Sequence, residues 1–251
     1  MPALPQAFLN VPITHRGLHD DKVPENSLAA AKAAIDAGYG IEMDIQPAAD
    51  GTAMVFHDYD LTRLAGDRRF VADISADELA GISLKGSNET VPTLRQMLDL
   101  VAGRVPLLIE IKDQDGRLGG NIGDLHKQVA GQLADYAGPV AVMSFNPHVV
   151  GAFHRISPDI PVGLTTCGYA PEHWAMLDQD AREHLADISD FDDVGASFIS
   201  HDHNDLGNPR VDALKAQAVP VLCWTIRSPA QEAAARKVAD NITFEGYQAA
   251  I

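Results

Sequence analysis

Eight short β-rich runs alternate with longer alanine-rich amphipathic runs along almost the whole chain, and this alternation constrains the fold most. The candidate strands are Val11–His15, Gly40–Gln46, Pro106–Lys112, Val140–Ser144, Ile160–Thr165, Ala196–Ser200, Val219–Thr225 and Asn241–Phe244. Helical candidates lie between them, at Asn26–Ala37, Thr93–Val101, Asn121–Tyr136, Pro147–Ile156, Pro171–Ala186, Pro209–Ala216 and Pro229–Ala239. Several open on Pro or on Ser/Asn-Pro, the usual signals of a helix start. Strands joined through helices run parallel, because a parallel neighbour needs a long crossover. Eight such units close a TIM (β/α)8 barrel, and 251 residues suit one barrel domain over 1–251 with little left over. The step from the second to the third strand is too long for one unit. Residues from about Asp58 to Val91 are therefore expected to form a small insertion, with a Ser-x-x-Glu capping pattern at Ser75.

The chemistry gathers on two of these strands. In Ile41-Glu42-Met43-Asp44-Ile45 the alternation puts the three apolar residues on one face and both acids on the other. With the apolar face under the helices, Glu42 and Asp44 point into the barrel. Leu108-Ile109-Glu110-Ile111-Lys112 repeats the device, adding a third acid and a cation. Neighbouring buried acids repel and lose hydration unless a cation or protons compensate. Oxygen ligands so arranged suit Mg²⁺ or Ca²⁺. Pairing with Arg or Lys is the other reading of each acid, and the convergence of three at one barrel end favours a cation. His15-Arg16-Gly17 ends the first strand, and His57-Asp58 ends the short apolar run Met54-Val55-Phe56. A histidine at a strand end is either structural or an acid–base group, and two beside an acid cluster favour the second role. Arg16 and Lys112 are natural partners for phosphate oxygens.

Charge narrows the partners. With 19 Lys and Arg against 35 Asp and Glu, the formal net charge is −16. Nucleic-acid binding rests on cationic side chains neutralising phosphates, so it is not expected. Nor is a stable membrane anchor: no apolar stretch approaches a spanning length, and the start of the chain lacks the charge and apolar run of a leader. Cys167 and Cys223 show no metal spacing and read as small buried hydrophobes. A cytoplasmic enzyme acting on a small molecule is the expectation.

Taken in order, His15-Arg16-Gly17, Pro24-Glu25-Asn26-Ser27, Glu42-x-Asp44, Asp50-Gly51, His57-Asp58 and Glu110-x-Lys112 resemble the glycerophosphodiester phosphodiesterase family. Pro92-Thr93-Leu94 and Cys223-Trp224-Thr225 resemble weaker family features. The resemblance implies a TIM barrel with a small insertion after the second strand. It implies one divalent ion, Mg²⁺ or Ca²⁺, held by Glu42, Asp44 and Glu110. It also implies an acid–base pair, His15 and His57, and phosphate contacts from Arg16 and Lys112. The implied reaction takes a glycerophosphodiester to glycerol 3-phosphate and an alcohol, through attack of the neighbouring glycerol hydroxyl and a cyclic phosphate. Asn26 falls near the site, as a brace for the first loop or as a helix N-cap. The family often carries Thr-Asp after the last strand. Here the chain reads Thr243-Phe244-Glu245-Gly246, which suggests a differently shaped end of the barrel and leaves the headgroup preference open while the core chemistry stands.

Some readings compete. His201-Asp202-His203 has the form of a metal-binding pair but follows the sixth strand; a rim loop touching the alcohol portion is the expectation for His201. Trp224 and Phe145 read as apolar walls for substrate or as core. A sphingomyelinase-D-like or lysophospholipase-D-like phosphodiesterase, and a phosphate-binding module without catalysis, are the rival functions.

Overall fold

The computed structural model describes residues 2–251. A short helix α1 (Ala7–Asn10) leads into β1 (Ile13–Thr14), α2 (Leu28–Ala37), β2 (Gly40–Pro47) and β3 (Ala53–Val55). Helices α3 (Thr62–Ala65), α4 (Ala76–Leu79) and α5 (Leu94–Val101) follow, then β4 (Leu107–Ile111), α6 (Leu125–Leu133), β5 (Val140–Ser144) and α7 (Pro147–Ile156). The chain continues through β6 (Val162–Thr166), α8 (Gln179–Ala186), β7 (Phe198–Asp202), α9 (Pro209–Ala216), β8 (Val221–Ile226), α10 (Pro229–Ala235) and β9 (Asn241–Phe244).

The sheet runs β1-β9-β8-β7-β6-β5-β4-β2-β3, and β1 also pairs with β2. That last pairing closes eight parallel strands into a TIM barrel, and β3 is an antiparallel extra strand on β2. The outward faces behave as the alternation predicts. Ile41, Met43 and Ile45 of β2 and Leu107, Ile109 and Ile111 of β4 pack in one cluster with Ala34, Leu94, Met97 and Leu98 of the helices. The inward faces hold a smaller cluster of Ile13, Leu108, Ala141, Met143, Phe198 and Leu222. In β6 the inward position is Gly163, where a Cβ would lie 2.4 Å from the Phe198 ring; its absence is what lets that ring lie across the barrel interior.

Three features differ from the sequence reading. The segment before β1 is a plug: Leu4 and Phe8 join the inner cluster, and the Asn241 amide donates to the carbonyls of Phe8 and Val11. Helix α8 begins at Gln179, capped by Asp178, and not at Pro171; the residues before it form turns. Likewise α6 begins at Leu125, after an irregular stretch that carries four glycines. The insertion has its own small core, in which Leu61, Val71, Ile74, Leu79, Leu84 and Val91 pack on Met54 and Phe56. Ser75 caps α4 as its pattern predicts, and Thr93 forms a capping box with Gln96 at the start of α5. Among the described residues no helix is long and apolar enough to cross a membrane.

Candidate active site

The strand ends carrying the acids meet at one mouth of the barrel. The register of β2 on β4 sets Asp44 directly beside Glu110, and Glu42 lies one inward position below Asp44. Carboxylate oxygens of Glu42, Asp44 and Glu110 all lie within 4.8 Å of one another, and all three residues are buried. Such a donor set fits a hard divalent cation. Burial, then the neighbouring Asp44 and Glu110, push the Glu42 carboxyl well above its usual range. Burial acts the same way on Asp44, but Lys112, His57, Arg16 and His15 outweigh it and hold Asp44 far below.

Positive charge is built in among the acids. Lys112 Nζ sits 2.7 Å from Glu110 and 3.3 Å from Asp44, and the Arg16 guanidinium reaches Glu25 at 2.7 Å and Asp44 at 3.2 Å. The Arg16 backbone N–H donates to Glu42. Asn26, at a positive φ of 55°, donates its amide to Asp44 at 2.9 Å. The helix cap itself is the next residue, Ser27, whose hydroxyl accepts from Ala30. Asn26 therefore braces the acid floor and does not cap α2.

The two histidines stand on either side of this floor. His15 Nδ1 lies 2.5 Å from Glu245 Oε2, and Arg227 grips the other Glu245 oxygen at 2.8 Å. His57 Nδ1 lies 2.7 Å from Asp58 Oδ1, and Arg63 grips the other Asp58 oxygen at 2.7 Å. With Nδ1 engaged by a carboxylate, each imidazole leaves Nε2 for other chemistry. Burial, assisted by Arg16, lowers the His15 pKa despite Glu245. Glu245 itself is held far below the carboxylate range: His15, His19 and Arg227 outweigh its burial.

His15, Arg16, Glu42, Asp44, His57, Glu110 and Lys112 line one cavity of about 190 Å³. Phe145 and Trp224 form its apolar wall, with ring centroids 5.5 Å apart. Across from the acids, Thr165, Ser200 and Thr243 also line it, and their buried hydroxyls have no hydrogen-bond partner among the described residues. Buried polar atoms are nearly always satisfied, so this wall suits a hydroxyl-bearing ligand.

Comparison with known proteins agrees with the layout. The model of the glycerophosphoryl diester phosphodiesterase family matches residues 15–241. The chain belongs to that family. It is 34% identical over 174 residues to a glycerophosphodiester phosphodiesterase of Caldanaerobacter subterraneus, covering 65% of this chain and 70% of the relative. A glycerophosphodiester phosphodiesterase of Bacillus altitudinis is 32% identical over 162 residues, covering 61% of this chain and 64% of its own. A phosphodiesterase of Oleispira antarctica, solved in complex with the product sn-glycerol-3-phosphate, shares the fold with a TM-score of 0.77. It is 21% identical and covers 95% of this chain and 94% of its own. As a member of this family the protein is a phosphodiesterase, and hydrolysis of glycerophosphodiesters is the family activity.

Measured against this phosphodiesterase site, one expectation needs correcting. His201 does not reach the mouth. Strand β7 runs on to Asp202, so alternation turns Ser200 inward and His201 outward. The His201 side chain is wholly buried, bonded to the Thr166 hydroxyl at 2.7 Å and to Asp205 at 3.1 Å. Trp224, one strand over, does face the cavity and donates its indole N–H to the Ser200 carbonyl. Glu245, Arg227, Arg63 and Glu25 are the residues whose part in the site the motifs did not disclose. Arg63 of the insertion clasps Glu25 with both terminal nitrogens and so ties the His57 loop to the Arg16 loop.

Proposed function

We propose that this single-domain phosphodiesterase cleaves glycerophosphodiesters to glycerol 3-phosphate and an alcohol, with His15 and His57 as its acid–base pair. The observation carrying this reading is the placement of two carboxylate-anchored histidines around one cavity floored by three acids and two cations. Glu42, Asp44 and Glu110 would hold one divalent ion, Mg²⁺ or Ca²⁺. Such an ion supplies Lewis acidity to phosphate oxygens and to a ligated hydroxyl. Lys112 and Arg16 stabilise charge gathering on the non-bridging oxygens. One histidine takes the proton of the glycerol hydroxyl as its oxygen attacks phosphorus; the other gives a proton to the departing alcohol. Water then opens the cyclic phosphate, with the two histidines in exchanged roles. Each proton transfer contributes roughly 10²- to 10⁴-fold.

The test is release of glycerol 3-phosphate from glycerophosphocholine or glycerophosphoglycerol, with and without EDTA. Release that EDTA abolishes and Mg²⁺ or Ca²⁺ restores is expected. Undiminished release after exhaustive chelation overturns the metal assignment, and no release from any glycerophosphodiester overturns the substrate class.

A further inference from the structure

A second cavity of about 510 Å³ opens beside the reaction cavity, and the two share His57, Glu110, Lys112 and Phe145. Its floor continues the aromatic wall outward. The ring of Trp224 meets Phe145 at 5.5 Å, and Phe145 meets Trp174 at 5.3 Å. Trp174 is in turn backed by Tyr169 at 4.8 Å. Leu118 and Met176 extend this lining, and Tyr59 stands across the groove with its hydroxyl tied to the Asp113 carbonyl. Tyr59 and Met176 are each 49% exposed, and they are two of only five large hydrophobic side chains so exposed among the described residues. Exposed apolar side chains gathered at a cavity mark a binding surface.

Three of the four acids lining this groove, Asp58, Glu110 and Asp113, are held by other side chains, whereas Asp60 accepts a single backbone N–H; His173 also lines the groove. Asp58 takes His57 and Arg63, Asp113 takes the Asn146 amide and two backbone N–H groups, and Asp60 accepts from the Thr62 N–H. The reaction cavity adds a hydroxyl-bearing wall, where the side chains of Thr165, Ser200 and Thr243 have no hydrogen-bond partner among the described residues. The two arms of a phosphodiester would thus meet unlike surroundings, a hydroxyl-lined cavity and an aromatic groove.

We propose that the groove floored by Phe145 and Trp174 is the leaving-group site, and that it selects an uncharged apolar alcohol, alkyl or aryl. The polyol arm lies in the hydroxyl-lined cavity, and the apolar arm runs from the phosphate at Lys112 along the rings toward Met176. The assignment rests on the phosphodiesterase reading above. It adds which diester is favoured and which side chains choose it.

The experiment compares kcat/KM for glycerophosphobutanol, glycerophosphoglycerol and glycerophosphocholine in the metal-loaded enzyme, for the native chain, Trp174→Ala and Met176→Ser. Buried methylenes carry the discrimination, so the butyl diester is expected to exceed the glyceryl diester about tenfold or more. Trp174→Ala should remove most of that preference, lowering kcat/KM for the butyl diester several-fold more than for the glyceryl diester. Met176→Ser, at an exposed position with no core to disturb, should reduce the preference by a smaller factor. Equal rates for all three diesters, a choline diester favoured over the butyl one, or variants that slow every diester alike would each overturn the groove assignment and leave the phosphodiesterase reading standing. Cleavage of none would remove that reading itself.

Discussion

The two histidine stations are chemically alike and built in opposite ways. His57 is anchored by its chain neighbour, Asp58, whereas His15 is anchored by Glu245, 230 residues away. Each anchoring carboxylate is held by an arginine, Arg63 in one case and Arg227 in the other. The His57 pair is the more open, with side chains 31% and 24% exposed against 14% and 19% for His15 and Glu245. One station is thus a local turn steadied by the insertion. The other exists only because β9 lies beside β1 when the barrel closes. Similar chemistry can be reached by a dipeptide or by topology, and only the dipeptide leaves a signature in the chain.

The most severe test of this likeness removes each imidazole in turn. His15→Ala and His57→Ala should each lower kcat/KM by about 10²-fold or more, with thermal unfolding nearly unchanged. If either variant turns over glycerophosphoglycerol at a near-normal rate, the two stations are not a catalytic pair.

Replacing the anchors separates the local station from the distant one. Glu245→Gln and Asp58→Asn keep the shape and remove the charge that orients each imidazole and stabilises its protonated form, so each should lower kcat. The larger loss in kcat is expected for Glu245→Gln, because His15 is the more deeply buried. Equal losses, or a loss confined to KM, would show that burial does not distinguish the stations.

The acid floor between them gives a pH test. Glu42 is held above its usual range, so the folded protein binds a proton there that the unfolded chain releases near pH 4.5. Metal-free stability should therefore fall as pH rises above that value toward the folded pKa of Glu42. A cation must displace the same proton, so its affinity should rise with pH. The gain in Tm on adding Mg²⁺ or Ca²⁺ should accordingly be greater at pH 8 than at pH 5.5. A gain independent of pH would mean that Glu42 does not take part.

The smallest effect should come from the arginines. Arg227 is 57% exposed and holds Glu245 alone, and exposed pairs of this kind typically contribute about 0.2–1 kcal/mol. Arg227→Ala should therefore cost only a few-fold in kcat. Arg63→Ala should cost more, because Arg63 joins Asp58 to Glu25 and through it to Arg16. A reversed order, measured under matched metal, would show that the insertion does not steady the His57 station.

How far the site was legible follows the same division. Glu42, Asp44 and Glu110 could be placed together from the sequence because side-chain direction in a strand repeats every two residues. A barrel strand with one apolar face leaves its acids no other direction. The same rule misled at His201 only through its boundary: ending the strand at Ser200 made His201 a loop residue, and two more residues of strand turn it into the helical layer. The helical pattern over Pro171–Ala186 places Trp174 and Met176 inside a helix, and the turns that precede α8 instead carry them to the groove beside the cavity. The plug formed by Leu4 and Phe8 has no periodicity of its own, since its partners are the inner faces of several strands.

The barrel, its insertion, and the acids and histidines that share one end are written in the chain, because these follow from short-range periodicity and chain neighbours. The tertiary structure decided that Glu245 anchors His15, that Arg63 joins two loops, and that an aromatic groove opens beside the acids. Those contacts join residues brought together by barrel closure and loop packing. No local pattern encodes them, because the free energy that selects them is that of the whole packed barrel.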